Sequence, residues 1–330
     1  MKLKAKKIIT TAISIGFLVV LFRMVDFQKI YQQLQNLSGT FIIFALIYYA
    51  FCQLLSCVRW QLILKAYGHQ TSIKVLLSSY FAGMFLNTFL PSSVGGDMYR
   101  VYVATRTNQN MEASFASVFI ERITGIFALL GIAFFSLPAA VQWMKNWNII
   151  WLLLGCTALL SVAVLLTISP RVLMLIKPWL IQLKADNFVD KFTRIQIILR
   201  NFVHYRKYLA ISLFLSFLLQ LMIIYYYYLV SQQLNIPILY WQLLVFVPIV
   251  VVVTLLPISL GGLGIKEGVL AYLFIQINLS VEQAVLLSLT VMTLGIILSL
   301  PGGVILLFDS VNNLRDAVNI KKKLEESGFK

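Results

Sequence analysis

Charge is scarce in this chain. Only 12% of its 330 residues are charged, against roughly 25% in soluble domains, while 60% are hydrophobic. That combination excludes a water-soluble globule, and it equally excludes a disordered chain. The longest polar stretch, about residues 171–207, falls short of an ordinary domain, so no separate soluble catalytic domain is expected. Ligands for chemistry are scarce too. Cys52, Cys57 and Cys156 all lie in apolar runs with no C-x-x-C, and His69 and His204 sit in separate polar loops. A metal site needs converging ligands, so no metal, redox cofactor or disulfide is expected. The run Gly262-Leu-Gly264-Ile-Lys-Glu-Gly268 has neither the G-x-G-x-x-G nor the P-loop order, so no nucleotide site is expected either. Acidic residues are the rarer sign: 12 Asp+Glu against 27 Lys+Arg, a net charge of +15. The basic residues flank apolar runs, which reads as membrane topology and contact with anionic phospholipid rather than nucleic acid.

What is abundant is apolar sequence. Runs occupy residues 8–22, 40–64, 72–90, 113–138, 148–168, 208–230, 239–256, 269–277 and 283–308, and about 20 apolar residues suffice for a membrane crossing. The fold class is therefore an all-α polytopic membrane protein. Residues 26–39 and 187–203 carry apolar side chains at helical spacing and read as amphipathic interfacial helices. Two runs are interrupted: Leu90-Pro91-Ser-Ser-Val-Gly95-Gly96-Asp97 follows one, and Leu256-Pro257-Ile-Ser-Leu-Gly261-Gly262-Leu-Gly264 follows the other. Proline and paired glycine break helices.

Positive charge chooses the topology. If 72–90 were a full span, the basic residues between Arg171 and Lys207 would lie outside, against the positive-inside rule. If both interrupted segments are re-entrant, 21 Lys+Arg lie inside, three outside (Arg23, Lys29, Lys145) and three in the membrane region (Arg59, Arg122, Lys266). The expected architecture is about six full spans plus two re-entrant broken helices, both termini being cytoplasmic. Residues 1–145 form a first membrane repeat with re-entrant segment 72–107, and residues 146–309 a second with re-entrant segment 239–277. Residues 310–330 form a basic cytoplasmic tail. Three spans per half invert the second repeat relative to the first, and the two breaks share Leu-Pro-x-Ser-(Val/Leu)-Gly-Gly. Paired Pro/Gly-broken segments in inverted halves point to a transporter's central site.

Unpaired charge inside a bilayer is costly, so the charges near the breaks mark the candidate substrate site: Asp97, Arg100, Glu121, Arg122, Lys266 and Glu267. Glu121 and Arg122 lie roughly 13 Å into their run by helical rise, near the midplane. Guanidinium forks suit phosphate oxygens, and the acids orient them or meet a cationic group. The alternative is a set of internal ion pairs, such as Arg122 with Glu267, that lock the halves together. Arg59, near a span's end, is expected to snorkel to the interface. Pro91, Gly95, Gly96, Pro257, Gly261, Gly262 and Gly264 are the expected structural hinges, the glycines for backbone geometry that alanine resists.

The segments Asn87-Thr-Phe-Leu-Pro-Ser-Ser-Val-Gly-Gly-Asp97-Met-Tyr-Arg100, Ser117-Val-Phe-Ile-Glu121-Arg122 and Leu256-Pro-Ile-Ser-Leu-Gly-Gly-Leu-Gly-Ile-Lys-Glu267-Gly resemble the lysylphosphatidylglycerol synthase transmembrane-region family. That family includes the N-terminal flippase domain of the multiple peptide resistance factor. The resemblance covers nearly the whole chain, with Lys266 standing where many members carry Arg. It implies a bacterial or archaeal inner-membrane protein that moves lipids, with aminoacylated phosphatidylglycerol among the candidates, between leaflets. The family's soluble transferase domain is expected to be absent, so a lysyltransferase label is doubted. The competing expectations are a membrane aminoacyl- or glycosyl-transferase and an accessory subunit of a separate soluble lipid synthase.

Overall fold

The computed structural model describes residues 37–89, 94–143, 155, 158, 202, 205–255 and 264–326. Eight long helices make up these segments, in order α1 (Gly39–Ala66), α2 (Ile73–Phe89), α3 (Val94–Asn108), α4 (Met111–Trp143), α5 (Arg206–Gln233), α6 (Tyr240–Leu255), α7 (Ile265–Ile275) and α8 (Val281–Glu326). There is no strand among the described residues, so the chain is an all-α bundle. Four helices carry stretches long and apolar enough to cross a membrane, within α1, α4, α5 and α8. The apolar α2 and α6 are shorter. The expected runs at 8–22 and 148–168, the two amphipathic stretches apart from a few end residues, and the boundary at 145/146 lie outside the described residues.

Local sequence explains where the helices start and stop. Ser38 caps α1, its hydroxyl accepting from the Phe41 amide at 3.2 Å. Asn110 does the same for α4 through the Ala113 amide at 2.9 Å. Gln109 takes φ 55° in the tight link from α3. At α8, Ser280 and Gln283 bond each other's backbone amides reciprocally, at 3.2 and 3.0 Å, the arrangement of a capping box. Pro248 and Pro301 sit inside α6 and α8 without ending them.

The packing repeats itself. Every substantial helix–helix packing survives the exchange of α1 with α5, α2 with α6, α3 with α7 and α4 with α8. Thus α1 packs on α5, α2 on α8 as α6 on α4, α3 on α4 as α7 on α8, and α1 on α2 as α5 on α6. Among the described residues, helices α1–α4 and α5–α8 thus form two repeats of one packing pattern, each closing on the other. One close seam joins α2 to α8. A methyl group added at Gly302 would run into the Phe81 carbonyl and come within 2.8 Å of the Ala82 nitrogen. Small residues at such seams let helix backbones approach closely.

Candidate functional site

Helix α4 carries a stripe of small polar residues, Ser114, Ser117, Glu121 and Thr124, spaced three or four apart and all buried. This is an amphipathic helix turned inside out, its polar face toward the bundle. Glu121 is the centre of that face, 2% exposed. Its Oε1 accepts from Arg59 Nη2 at 2.8 Å and from the Tyr80 hydroxyl at 3.2 Å. Its Oε2 accepts from Arg100 Nη2. One carboxylate thereby ties together α1, α2, α3 and α4.

The arginines are held from their other sides as well. Arg59 Nη1 donates to Ser216 Oγ on α5 at 2.8 Å, linking the two repeats. The Arg100 guanidinium lies between two rings, 4.3 Å from the Trp60 centroid and 4.2 Å from that of Tyr80, a cation–π sandwich. Trp60 is itself fixed, its Nε1 donating to Ser117 Oγ at 2.8 Å. Asp97, one turn before Arg100, accepts from Arg122 Nε and lies 3.6 Å from Arg100 Nη1. Beside these groups is a cavity of about 340 Å³ whose wall includes Arg59, Tyr80, Asp97, Arg100, Glu121 and Arg122, within the range of about 300–1,000 Å³ typical of ligand pockets.

Four of the six sequence-derived candidates, Asp97, Arg100, Glu121 and Arg122, therefore meet on one cavity wall. Lys266 and Glu267 do not line it. Lys266 stands over the Tyr227 ring, 5.5 Å from its centroid. Glu267 folds back on its own helix: Oε2 accepts from the Gly264 amide and Oε1 from Ser288 Oγ, both at 2.8 Å. It caps α7 and pins it to α8. Two further expectations are corrected. Arg122 pairs with Asp97, and Glu267 bonds within its own half, because the start of α3 packs against α4. Arg59 does not snorkel. It is 5% exposed, because Glu121 and Ser216 satisfy it inside the bundle. The signal for Arg59 was present in α1, where Gln53, Ser56, Arg59 and Trp60 recur at helical spacing and are all buried.

The glycines also differ from expectation. Gly95 and Gly96 lie in the first turn of α3 rather than in the break. Gly96 is required for space: an added methyl group would collide with the Gly83 carbonyl and lie 2.6 Å from Asn87 Oδ1. That Asn87 oxygen accepts from the Gly96 amide at 2.9 Å, so α2 and α3 touch backbone to backbone. Gly264, at φ 80°, does need glycine's conformational freedom. Pro91, Pro257, Gly261 and Gly262 lie outside the described residues.

The family described as Lysylphosphatidylglycerol synthase TM region matches residues 7–303. The chain belongs to this family. It is 23% identical over 328 residues to a UPF0104 membrane protein of Pyrococcus horikoshii, covering 92% of this chain and 97% of that one. A UPF0104 membrane protein of Methanocaldococcus jannaschii is 28% identical over 132 residues, 38% of this chain and 39% of the other. No solved structure matches. Family membership and four helices of crossing length make the chain an integral membrane protein.

Proposed function

We propose that this protein carries a phospholipid or lipid-linked intermediate between the leaflets of the inner membrane. One observation supports the reading above all: a cavity walled by five charged side chains lies inside a bundle of apolar crossing helices. A phospholipid headgroup crosses hydrocarbon only along a polar path, for the same reason that a lone charge is costly there. In this proposal the headgroup enters the cavity while the acyl chains stay in the bilayer. The two repeats lie inverted in the membrane with both termini cytoplasmic, and rocking of one against the other exposes the cavity to each leaflet in turn. The exchange pattern of the helix packing and the distribution of Lys and Arg both support this arrangement.

The test is purified protein in liposomes containing a fluorescent phospholipid, with an outer-leaflet quencher as the readout. Protein should raise the quenchable fraction above that of protein-free liposomes. If no headgroup class moves, with or without an ion gradient, translocation is refuted and a role beside a separate lipid synthase takes its place. The topology is tested independently with single cysteines at Ser92 and Ser259 in a background lacking Cys52, Cys57 and Cys156. An impermeant thiol reagent should reach the two from opposite sides, and labelling of both from one side refutes the inverted arrangement.

A further inference from the structure

The exchange that relates the helix packings also relates individual side chains. Helices α1 and α5 begin 167 residues apart, at Gly39 and Arg206, and α2 and α6 also begin 167 residues apart, at Ile73 and Tyr240. That one register pairs Gln53 with Gln220 and Met84 with Val251. All four line the cavity, so the cavity lies where matching positions of the two repeats meet. The same register pairs Trp60 of α1 with Tyr227 of α5, and each of these rings carries a cation. The Arg100 guanidinium lies 4.3 Å from the Trp60 centroid, and the Lys266 ammonium lies 5.5 Å from that of Tyr227. The cations match in their own right. Each stands four residues after a Gly-Gly pair, Gly95-Gly96 in one repeat and Gly261-Gly262 in the other. Chain position and geometry thus give the same pairing by separate routes.

What surrounds the two cations differs. Arg100 bonds to Glu121 and lies beside Asp97. No carboxylate among the described residues lies within ion-pair distance of Lys266. The position matching Glu121, counted from the starts of α4 and α8, is Val291. The adjacent Glu267 is engaged by the Gly264 amide and the Ser288 hydroxyl. An aromatic ring attracts a cation through its quadrupole but does not cancel its charge. An ammonium held in this way within a bundle of apolar helices, where uncompensated charge is costly, still calls for an anion. Lys266 is half-buried, which leaves it within reach of one.

We infer that Lys266, held by Tyr227, is the second repeat's contact for the phosphate of the transported lipid, a station separate from the wall that carries Arg100. The ammonium donates to the phosphate oxygens as a compact point charge. This rests on the lipid reading above and extends it: the path between leaflets has two cationic stations at matching positions of the two repeats.

The experiment uses the purified full-length protein and reads the Lys266 amine directly. In detergent, amines are acetylated for a fixed time and the peptide carrying Lys266 is quantified by mass spectrometry. The additions are short-chain phosphatidylglycerol, phosphatidylcholine, diacylglycerol of the same chain length and inorganic phosphate, with the exposed Lys65 and Lys74 as internal references. Both phospholipids should slow acetylation of Lys266 about tenfold relative to these references, a hydrogen bond between charged groups being worth at least that factor. Diacylglycerol, which has no phosphate, should not. In liposomes, Lys266→Gln should lower the movement of fluorescent phosphatidylglycerol about tenfold with its unfolding midpoint near that of the wild type, and Lys266→Arg should restore most of the movement.

Acetylation unchanged by phospholipid overturns the inference, and so does equal protection by diacylglycerol. A Lys266→Gln protein that moves lipid at the wild-type rate overturns it too, as does one that loses transport only in step with its folded yield. Protection by phospholipid in a protein that moves no lipid leaves the station standing and refutes translocation. Transport with Lys266 unprotected does the reverse. Inorganic phosphate protecting as well as the phospholipids upholds the phosphate contact and refutes the lipid as its source.

Discussion

Two buried glutamates, one in each repeat, show how differently the same fold uses a carboxylate. Glu121 and Glu267 are 2% and 3% exposed, so neither is solvated by bulk water. Glu121 sits mid-helix and is held by two arginines and a tyrosine hydroxyl. Glu267 sits in the first turn of its helix and is held by a backbone amide and a serine hydroxyl. The first arrangement joins four elements around a cavity, and the second joins α7 to α8 away from that cavity's wall. The helix packing is symmetric and the chemistry is not. Counted from the starts of α4 and α8, the positions matching Glu121 and Arg122 are Val291 and Met292. The first repeat supplies the five charged side chains of the cavity wall, and the second closes it with Gln220 and Val251.

The largest effect is expected at Glu121. Glu121→Ala strands two buried guanidinium groups, and removing one partner of a buried ion pair costs about 3–5 kcal/mol. Folded yield on size-exclusion chromatography and the unfolding midpoint should fall steeply. Replacing Glu121, Arg59 and Arg100 together with leucine should restore much of the folding while abolishing transport. A triple variant that still moves lipid would break the comparison, because the wall would then be only structural.

Next in size are Gly96→Ala and Gly302→Ala. Each forces two backbones apart, and overpacking of this kind typically costs about 1–3 kcal/mol. Gly125→Ala is the control on the same cavity, since its added methyl group meets nothing nearer than 3.8 Å and should leave the midpoint within a degree or two. Equal midpoints for all three variants would show that the α2–α3 and α2–α8 seams are looser than described.

Glu267→Gln should have a smaller effect. It presents an amide N–H₂ to one of two donors that now meet a carboxylate oxygen, and an unsatisfied buried group costs about 1–3 kcal/mol. Transport per folded molecule should be unchanged, in contrast to Glu121. Loss of transport at full folded yield would return Glu267 to the cavity's machinery. The smallest effect belongs to Asp309, which accepts from the Tyr99 hydroxyl at 3.2 Å and lies 3.6 Å from Arg106 Nη1. It joins α8 to α3 at a partly exposed site, where such pairs contribute about 0–1 kcal/mol. Asp309→Asn should therefore lower the midpoint only slightly, by an amount that shrinks with added salt.

The fold was more legible in the sequence than the site. Apolar run lengths located α1, α2, α5 and α6 and the starts of α4 and α8 to within about three residues, because crossing length and hydropathy are local properties, but α8 continues well past its apolar run, to Glu326. Of the repeated Leu-Pro-x-Ser-(Val/Leu)-Gly-Gly motif, the described residues include Val94, Gly95 and Gly96, in the first turn of α3. Charges in apolar surroundings identified Asp97, Arg100, Glu121 and Arg122, because burial makes charge conspicuous. The partners were not legible. Arg122 has acids at several distances in sequence, and the packing of α3 on α4 is what brings Asp97 to it. Arg59 reads as an end-of-span residue unless its own helix face, Gln53, Ser56 and Trp60, is counted with it. Lys266 and Glu267 look like site residues by motif alone, but the cap at Gly264 turns Glu267 back onto its own helix.

The seam between α2 and α8 also has a consequence for biosynthesis. Helix α2 is synthesised well ahead of α8, the helix that packs against it at Phe81. At about 5–20 residues per second, the roughly 200 residues separating Phe81 from Gly302 take about 10–40 s to synthesise. For that interval the α2 face around Phe81 waits without the helix that packs on it, in a nascent protein that depends on the insertion machinery to shelter it. Chains stopped before α8 should then be cleared by membrane proteases far faster than chains stopped after it, a difference that a pulse-chase on stalled nascent chains measures directly.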